Sequence, residues 1–518
     1  TFLSARKSDH ASQQLLGTEK AVERIGQALK NNEQIAIYGD YDADGVTATA
    51  LMVQTLTAMH PHVRAYIPNR FTEGYGLNQL ALQKLKSEGI DLVITVDCGI
   101  RALEDADYAK SIGLDLIITD HHTTGQDLPQ AAALINPKQP DDPYPEKVLA
   151  GVGVAYKLAK ALIETYHPAG LVPEDLLDLV AVGTVADLVP LEGENRALVR
   201  QGLTYLKTPQ RQGLASLMGV AGITAANISA MDIGFGLGPR INAAGRIGSA
   251  KDALALLTTK DIFEAGQLAQ TLDNRNRERQ RITYEIQELA EELSGAHDPG
   301  TYLLFAHHPN FNPGVVGLAA SKLVEQYYRP AIVGFRNEEY TRASCRSIPE
   351  FHITKALEQC SDLFTQYGGH AAAAGFTVPN KNLSELNTRL NKLAEDTLYG
   401  QSLHPSLEID TEVNLIDLKP ALLREMDRLE PTGQGNPSPV FASRNVFVRG
   451  ARSVGRDGSH LKLILSDGKI TFDAIAFRFG HLVDDIPGQI DIAFAFEINE
   501  FNGRKTLQLN IKDIKFPQ

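Results

Sequence analysis

Short apolar runs alternate with stretches of helical spacing through the first third of the chain. Gln34–Tyr38, Val63–Ile67, Leu92–Val96, Leu114–Thr119 and Ala131–Ile135 are rich in Ile, Val and Leu and read as buried strands. Between them apolar residues recur at three- and four-residue steps. Ala21, Val22, Ile25 and Leu29 mark one helix, Val46–Met59 another, and residues 78–87 a third. Strand–helix alternation at this spacing predicts a mostly parallel, doubly wound sheet. Residues 150–215 read as largely helical, and helical, increasingly charged spacing returns over 251–294. A second α/β unit is expected from Thr301. Its strands are Tyr302–Ala306 and Ala331–Phe335, a helix lies over Val315–Tyr327, and a final helix runs to about 397. From about 405 the pattern changes to short alternating strands: Val446–Val448, Leu461–Leu465, Thr471–Phe477, Ile490–Phe496 and Thr506–Ile514. These predict a small β-barrel of OB-like form.

The fold class expected is therefore α/β multidomain. Residues 1–215 form a parallel-sheet catalytic domain, and 216–296 a Gly-rich segment with a long connecting helix. Residues 297–400 form a second α/β domain, and 401–518 an OB-like nucleic-acid-binding domain. A chain of 518 residues accommodates that many cores.

Composition changes the picture little. The chain is 43% hydrophobic and 22% charged, with no apolar run of the ~20 residues a membrane helix needs. Three cysteines, Cys98, Cys345 and Cys360, give no disulfide framework. With no secretory leader visible, a reduced, cytoplasmic setting is expected. The chain starts at Thr1 rather than Met, so some preceding residues are expected. A net charge of −13 argues against a uniformly basic nucleic-acid surface. It leaves room for a confined basic groove, and it counts metal-bound carboxylates as bare.

The candidate chemistry gathers where strands end. Asp40, Asp42 and Asp44 follow the first strand, Asp97 the third, and Asp120-His121-His122 the fourth; Asp187 sits in the small, apolar stretch Val180–Pro190. In open α/β sheets the carboxyl edge is where ligands bind. Carboxylates in excess of imidazoles suit Mn²⁺ or Mg²⁺ better than a thiolate zinc site. Asp42-x-Asp44 lets two carboxylates diverge toward two ions, with Asp97 between them, and two such ions clamp a phosphoester for hydrolysis. Without cations these carboxylates would repel one another. Turn-forming and helix-capping roles explain Asp44 or Asp187 singly, but not four segments together. Cys98 is expected to pack as a small apolar residue.

Two other stretches carry charge. Gly234–Arg246 is Gly-rich and reads as tight turns holding Arg240 and Arg246 for phosphate contact. Asp273–Arg281 reads as a solvated helix face, with a nucleic-acid-facing helix as the alternative.

Asp40-Tyr41-Asp42-Ala43-Asp44-Gly45, Asp97-Cys98-Gly99, Asp120-His121-His122 and Gly183–Asp187 resemble the four motifs of the DHH phosphoesterase superfamily. Gly368-Gly369-His370 with Ala373-Ala374-Gly375 resembles the signature of its associated domain. Arg70–Leu77, Gly238–Arg246 and Gly433–Phe441 resemble the branch of that superfamily that degrades single-stranded DNA from the 5′ end.

The resemblance implies a two-metal, Mn²⁺- or Mg²⁺-dependent exonuclease acting in recombination and repair. Asp42, Asp44, Asp97, His121 and Asp187 would be metal ligands, with Asp97 bridging. His122 would lie beside the scissile phosphate and Asp120 behind the histidines. The family often carries a His where this chain has Tyr38, so Asp40 is a candidate replacement ligand. Ser344 and Arg346, with Arg70, would hold the 5′-phosphate. Arg240, Asn242 and Arg246 would follow the backbone. Gly369 and His370 would let backbone amides approach a phosphate, with a packed, structural His370 as the alternative. In the barrel, Phe441, Phe447, Arg449, Arg452, Arg456, Lys462 and Phe477 are candidates for single-strand contact. The partners implied are single-stranded DNA, a helicase and a single-strand-binding protein, around a monomer. The alternatives are a DHH phosphodiesterase acting on oligoribonucleotides or small nucleotides, and a catalytically silent DNA-binding scaffold.

Overall fold

The computed structural model describes residues 2–4, 10–69, 73, 74, 76–455, 457–501 and 504–516. Arg70 and Arg456 therefore lie outside the described residues. Strands β1 (Ile35–Gly39), β2 (Val63–Tyr66), β3 (Leu92–Val96), β4 (Asp115–Thr119) and β5 (Ala133–Ile135) form one parallel sheet in the order β2-β1-β3-β4-β5. Burial on both faces explains their continuous apolar composition. One face packs under Ile35, Ile37, Ile94 and the helices Ala43–Thr57, Gly151–Tyr166 and Leu177–Ala186; the other holds Ala36, Tyr38, Val93 and Ile118. The strand order reverses between β1 and β3, so the loops after those two strands open a crevice at the carboxyl edge.

The second unit is a mixed five-stranded sheet in the order β6-β7-β8-β10-β9, from β6 (Leu304–His308), β7 (Ala331–Arg336), β8 (Tyr340–Arg346), β9 (Gln366–Gly369) and β10 (Ala373–Pro379). The apolar pattern located β6 and β7 but missed the antiparallel β8–β10, whose alternation runs through Thr, Ala, Ser and Gly rather than through large aliphatics. One 33-residue helix, Ile262–Ser294, joins the two units. Ala265, Ala269 and Leu272 enter the catalytic core, while Ile286 and Ala290 enter the core under β6 and β7.

The last unit comprises β11 (Thr411–Glu412), β12 (Phe441–Val454), β13 (His460–Ser466), β14 (Thr471–Ala476), β15 (Gln489–Phe501) and β16 (Arg504–Lys515). Pairing of β12 with both β13 and β15 closes the five long strands into a barrel. Three of those strands are 12 to 14 residues long, so the expected short strands are extended ones that bend at bulges. No helix among the described residues is long and apolar enough to cross a membrane.

Two sequence expectations need correction. Gly234–Arg246 is not a set of tight turns: Ile233–Leu237 is one π-helical turn that runs into the helix Gly238–Ile247. Its glycines serve close packing. A Cβ on Gly238 would lie 3.0 Å from Ala186, and one on Gly245 would lie 2.6 Å from the Tyr41 carbonyl. Nor is Asp273–Arg281 a solvated face throughout. Asp273 and Asn276 are buried, and Asp273 pairs with Arg240 at 2.8 Å and with Arg277 at 2.8 Å.

Candidate functional site

Three loops at the carboxyl edge and Asp187, at the C-terminal end of the helix Leu177–Ala186, bring the predicted acidic and imidazole groups together. Asp42 caps the helix Ala43–Thr57, its Oδ1 accepting from the Asp44 and Gly45 amides at 3.0 and 3.1 Å. The cap leaves its second oxygen free of those two amides. Asp44 faces the start of the helix Gly151–Tyr166, where the Gly151 and Val152 amides each donate to it at 2.7 Å. A helix N-terminus favours a carboxylate there. Asp97 ends β3 with φ +61, a left-handed backbone costly outside glycine.

His121 Nε2 lies 3.2 Å from Asp97 Oδ1, 3.6 Å from Asp187 Oδ2 and 3.9 Å from Asp44 Oδ2. Three sets have ligand atoms within 4.8 Å of one another: Asp40, Asp42 and Asp97; Asp44, His121 and Asp187; and Asp97, His121 and His122. Asp42 and Asp44 thus fall in different sets, and Asp97 belongs to two.

The electrostatics demand a cation. Burial pushes Asp44 up to about 7, with Asp42 adding repulsion. Burial and the same neighbours push Asp187 up to about 9, and Asp97 lies well above the usual carboxylate range. Burial and the charge of His122 push His121 down to about 4, so it is a neutral ligand. Asp97 Oδ1 and His121 Nε2 are buried and make no hydrogen bond. Buried polar atoms without partners are rare, and this oxygen-rich donor set with one imidazole fits two hard divalent cations.

Asp120 is differently placed. Its Oδ1 accepts from the His121 amide at 2.7 Å and the His122 amide at 3.0 Å and meets His122 Nδ1 at 2.7 Å, while its Oδ2 accepts from the Ile100 amide at 2.9 Å. Burial alone would raise its carboxyl, but the His122 contact brings it below the usual value. In return, burial would lower His122, but Asp120 and the acidic centre raise it. With those bonds Asp120 orients His122, whose side chain stays 44% exposed.

Tyr38 does not substitute for a histidine ligand. It is buried on the far face, donates to the Gly76 carbonyl at 2.8 Å and stacks on Tyr66. Asp40, two residues on, is the group that joins Asp42 and Asp97. Cys98 is buried behind the site.

The substrate-side candidates divide. Arg240 directs its donors to Asp273 and the Gly236 carbonyl, tying two helices together rather than facing a phosphate. Asn242 Oδ1 accepts from the Ala43 amide at 2.8 Å, so it holds the acidic loop. Arg246 reaches the Gly314 carbonyl of the second unit at 3.4 Å.

Ser344 and Arg346 lie on one face of β8 beneath the start of the helix Val316–Tyr327. A Cβ on Gly317 would come within 3.2 Å of Arg346 Nη2 and 3.4 Å of Ser344 Oγ, so glycine there leaves them room. Arg346 is mostly buried and donates to the adjacent Cys345 carbonyl. Gly369 has φ +150, and His370 is exposed rather than packed. His370 and His122 line a common cavity of about 310 Å³ with Leu77, Ile100 and Arg101. On the barrel, Phe447 and Phe477 are exposed with Arg449 over the Phe447 ring, whereas Phe441 is core. Lys462 sits 3.9 Å from Asp473, and Arg452 is exposed.

The helical reading of 150–215 holds for Gly151–Tyr166, but the sequence did not show that its first amides, from Gly151 and Val152, meet Asp44. A Cβ on Gly151 would lie 2.5 Å from Asp97 Oδ1, so only glycine fits. The small-residue run Ala150-Gly151-Val152-Gly153 was its one signal.

Three family profiles match the chain: the DHH family N-terminal domain over residues 34–184, the DHHA1 domain over 300–396 and the RecJ OB domain over 409–513. The chain is 41% identical over 517 residues to the single-stranded-DNA-specific exonuclease RecJ of Bacillus subtilis, covering 99% of this chain and 65% of that protein. It is 36% identical over 526 residues to the RecJ exonuclease of Escherichia coli, covering 97% of this chain and 91% of that one. Among solved structures, RecJ from Thermus thermophilus in complex with Mn²⁺ matches with TM-score 0.85 at 32% identity, covering 97% of this chain and 72% of that one. A manganese-bound exonuclease RecJ matches with TM-score 0.65 at 35% identity, covering 75% of this chain and 98% of that one.

Proposed function

The chain belongs to the RecJ family, and on that premise we propose that it is a metal-dependent exonuclease that hydrolyses single-stranded DNA from the 5′ end. The observation that carries this reading is the buried centre in which Asp97 Oδ1 and His121 Nε2 face each other at 3.2 Å without hydrogen bonds. Asp40, Asp42 and Asp97 would hold one cation, and Asp44, His121 and Asp187 the other, with Asp97 Oδ1 only 3.2 Å from His121 of the second set. Bound divalent cations supply charge neutralisation at the phosphate and acidify the attacking water.

The chain's own groups do the rest. Asp120 fixes His122 through Nδ1, which leaves the other ring nitrogen for substrate at the cavity that His122 lines with His370, and its raised basicity keeps it a proton donor to a phosphate oxygen. Arg346 and Ser344, under the helix that starts at Val316, hold the terminal 5′-phosphate and set polarity. Hydrolysis breaks the P–O3′ bond and releases the terminal nucleotide with a free 3′-hydroxyl. The remaining strand keeps a new 5′-phosphate, which re-enters the same pocket. Exposed Phe447 and Phe477 with Arg449 on the barrel suit stacking and phosphate tracking of the strand behind. Such strands arise in recombination and repair where duplex is opened. A helicase and a single-strand-binding protein in the cytoplasm are the expected partners of a monomeric enzyme.

The test is product analysis with strands labelled at either end, single and duplex, DNA and RNA, with Mn²⁺ or Mg²⁺. Asp97→Ala is expected to lower cleavage by at least about 10²–10³-fold while circular dichroism stays native. Near-normal cleavage by that variant refutes the metal assignment. Arg346→Ala is expected to lose the preference for 5′-phosphorylated strands, and an unchanged preference refutes the phosphate pocket.

A further inference from the structure

A cavity of about 310 Å³ lies on the second sheet beside the start of the helix Val316–Tyr327, lined by Ser344 itself and by residues on its Arg342 side. Its place along β8 follows from the strand register. Arg346 pairs with Ala373, Ser344 with Gly375, and Arg342 with Thr377. The Ala373 end is the metal side, because the Ala373 carbonyl accepts from the His370 amide at 2.7 Å and His370 shares a cavity with His122. A strand entering from the metals therefore meets Arg346 first, then Ser344, then Arg342. Two residues along a strand advance about 7 Å, room for one nucleoside past Ser344.

The lining has the matching chemistry. Pro313 and Val316 make an apolar wall, Gln366 and Thr377 offer hydrogen-bonding groups, and Arg342 is an exposed cation with no carboxylate in ion-pair range among the described residues. The floor is cleared by the Gly375–Gly368 pair, and a Cβ on Gly368 would meet nothing within 4 Å.

We propose that this cavity is a nucleoside subsite that seats the terminal residue of a strand lacking a 5′-phosphate, so that such a strand is cut one nucleotide further in. The inference rests on Ser344 and Arg346 being the 5′-phosphate pocket. With a 5′-hydroxyl strand, the first internal phosphodiester takes that pocket and the nucleoside upstream enters the cavity beside Arg342. Water adds to the next phosphorus, the P–O3′ bond breaks, and the departing 3′ oxygen leaves protonated on a dinucleoside monophosphate. The shortened strand now bears a 5′-phosphate, and every later product is a mononucleotide.

The experiment follows the first product from 5′-phosphorylated and 5′-hydroxyl strands of one sequence, by single-turnover sampling and mass spectrometry of the full chain with Mn²⁺. A mononucleotide from the first strand and a dinucleoside monophosphate from the second are expected. Arg342→Ala, and Thr377→Phe to fill the cavity, should slow the 5′-hydroxyl strand roughly tenfold, the scale of one lost polar or stacking contact. Both should leave the phosphorylated strand within about twofold, inside that same scale. A mononucleoside as the first product of the 5′-hydroxyl strand, or equal slowing of both strands, overturns the subsite and leaves the phosphate pocket standing. If wild type shows no dependence on the 5′-phosphate and Arg346→Ala changes nothing, the pocket reading fails and the subsite with it.

Discussion

At the scale of single residues, the centre is built by crowding acids that would be costly without cations. Asp44, Asp97 and Asp187 all have raised carboxyl pKa values through burial and mutual repulsion. Unfolded, each titrates near about 3.9, so between about pH 4 and pH 9 the metal-free folded state holds more protons than the unfolded one. Stability from these three groups therefore falls as pH rises through that window. His121, lowered to about 4, acts in the opposite sense, but it is one group against three. Divalent cation relieves the repulsion. The Mn²⁺-induced rise in melting temperature of chelator-treated protein should accordingly be larger at pH 8 than at pH 5, read by differential scanning fluorimetry. An equal rise at both pH values would contradict the raised carboxyl values. Gly151 belongs to this scale too. Gly151→Ala places a methyl against the Asp97 carboxylate without changing any charge. Mn²⁺ affinity by calorimetry should fall about tenfold or more, the scale set by changes to the groups that orient metal ligands, while far-UV circular dichroism stays native.

At the scale of elements, the helix Gly238–Ile247 acts as a strut. Asn242 holds the Ala43 amide at the acidic loop, Arg240 ties the helix to the connector through Asp273, and Arg246 touches the second unit at Gly314. Asp273→Ala leaves Arg240 without its carboxylate and should cost about 3–5 kcal/mol of stability. The pair Arg240→Met with Asp273→Leu should recover much of that loss, because an apolar pair of similar size often replaces a buried ion pair at little cost. Thermal melts of the three variants check this, and single and double variants of equal stability would show the pair to be idle.

At the scale of the whole molecule, the barrel is latched to the catalytic domain close to a metal ligand. The Leu191 amide, four residues after Asp187, donates to the Gln434 carbonyl at 2.7 Å. The buried Arg196 donates to the carbonyls of Arg428, Leu429 and Glu430 at 2.9 to 3.1 Å. Arg196→Ala leaves those carbonyls short of donors, at about 1–3 kcal/mol. Faster proteolysis around 428–436 is expected, along with weaker, less salt-dependent binding of long strands, while short strands are cleaved at near wild-type rate. Unchanged proteolysis would show that the latch does not hold the barrel.

Local patterning carried much of this. Short apolar runs, each followed within two residues by an Asp, located β1, β3 and β4 and the acids beyond their ends, because buried parallel strands must be continuously apolar and their carboxyl edge is where polar groups can emerge. The closed barrel was legible in the same way, from alternation. What the chain order could not convey was which loop faces which. Gly151 meets Asp97 across 54 positions, and Asn242 meets Ala43 across 199, contacts that only packing creates. For the same reason residue type alone assigns Arg240 to phosphate contact where packing pairs it with Asp273, and β8–β10 give no predictive pattern because Ser, Ala and Gly carry no strong period. Residue type and spacing by themselves determined the metal chemistry, since hard carboxylates in excess of imidazole select hard cations wherever they meet. Only the tertiary structure decided where those groups meet, which arginines among the described residues pair with a carboxylate, and where the cavity beside Ser344 lies, because each depends on distances between segments remote in the chain.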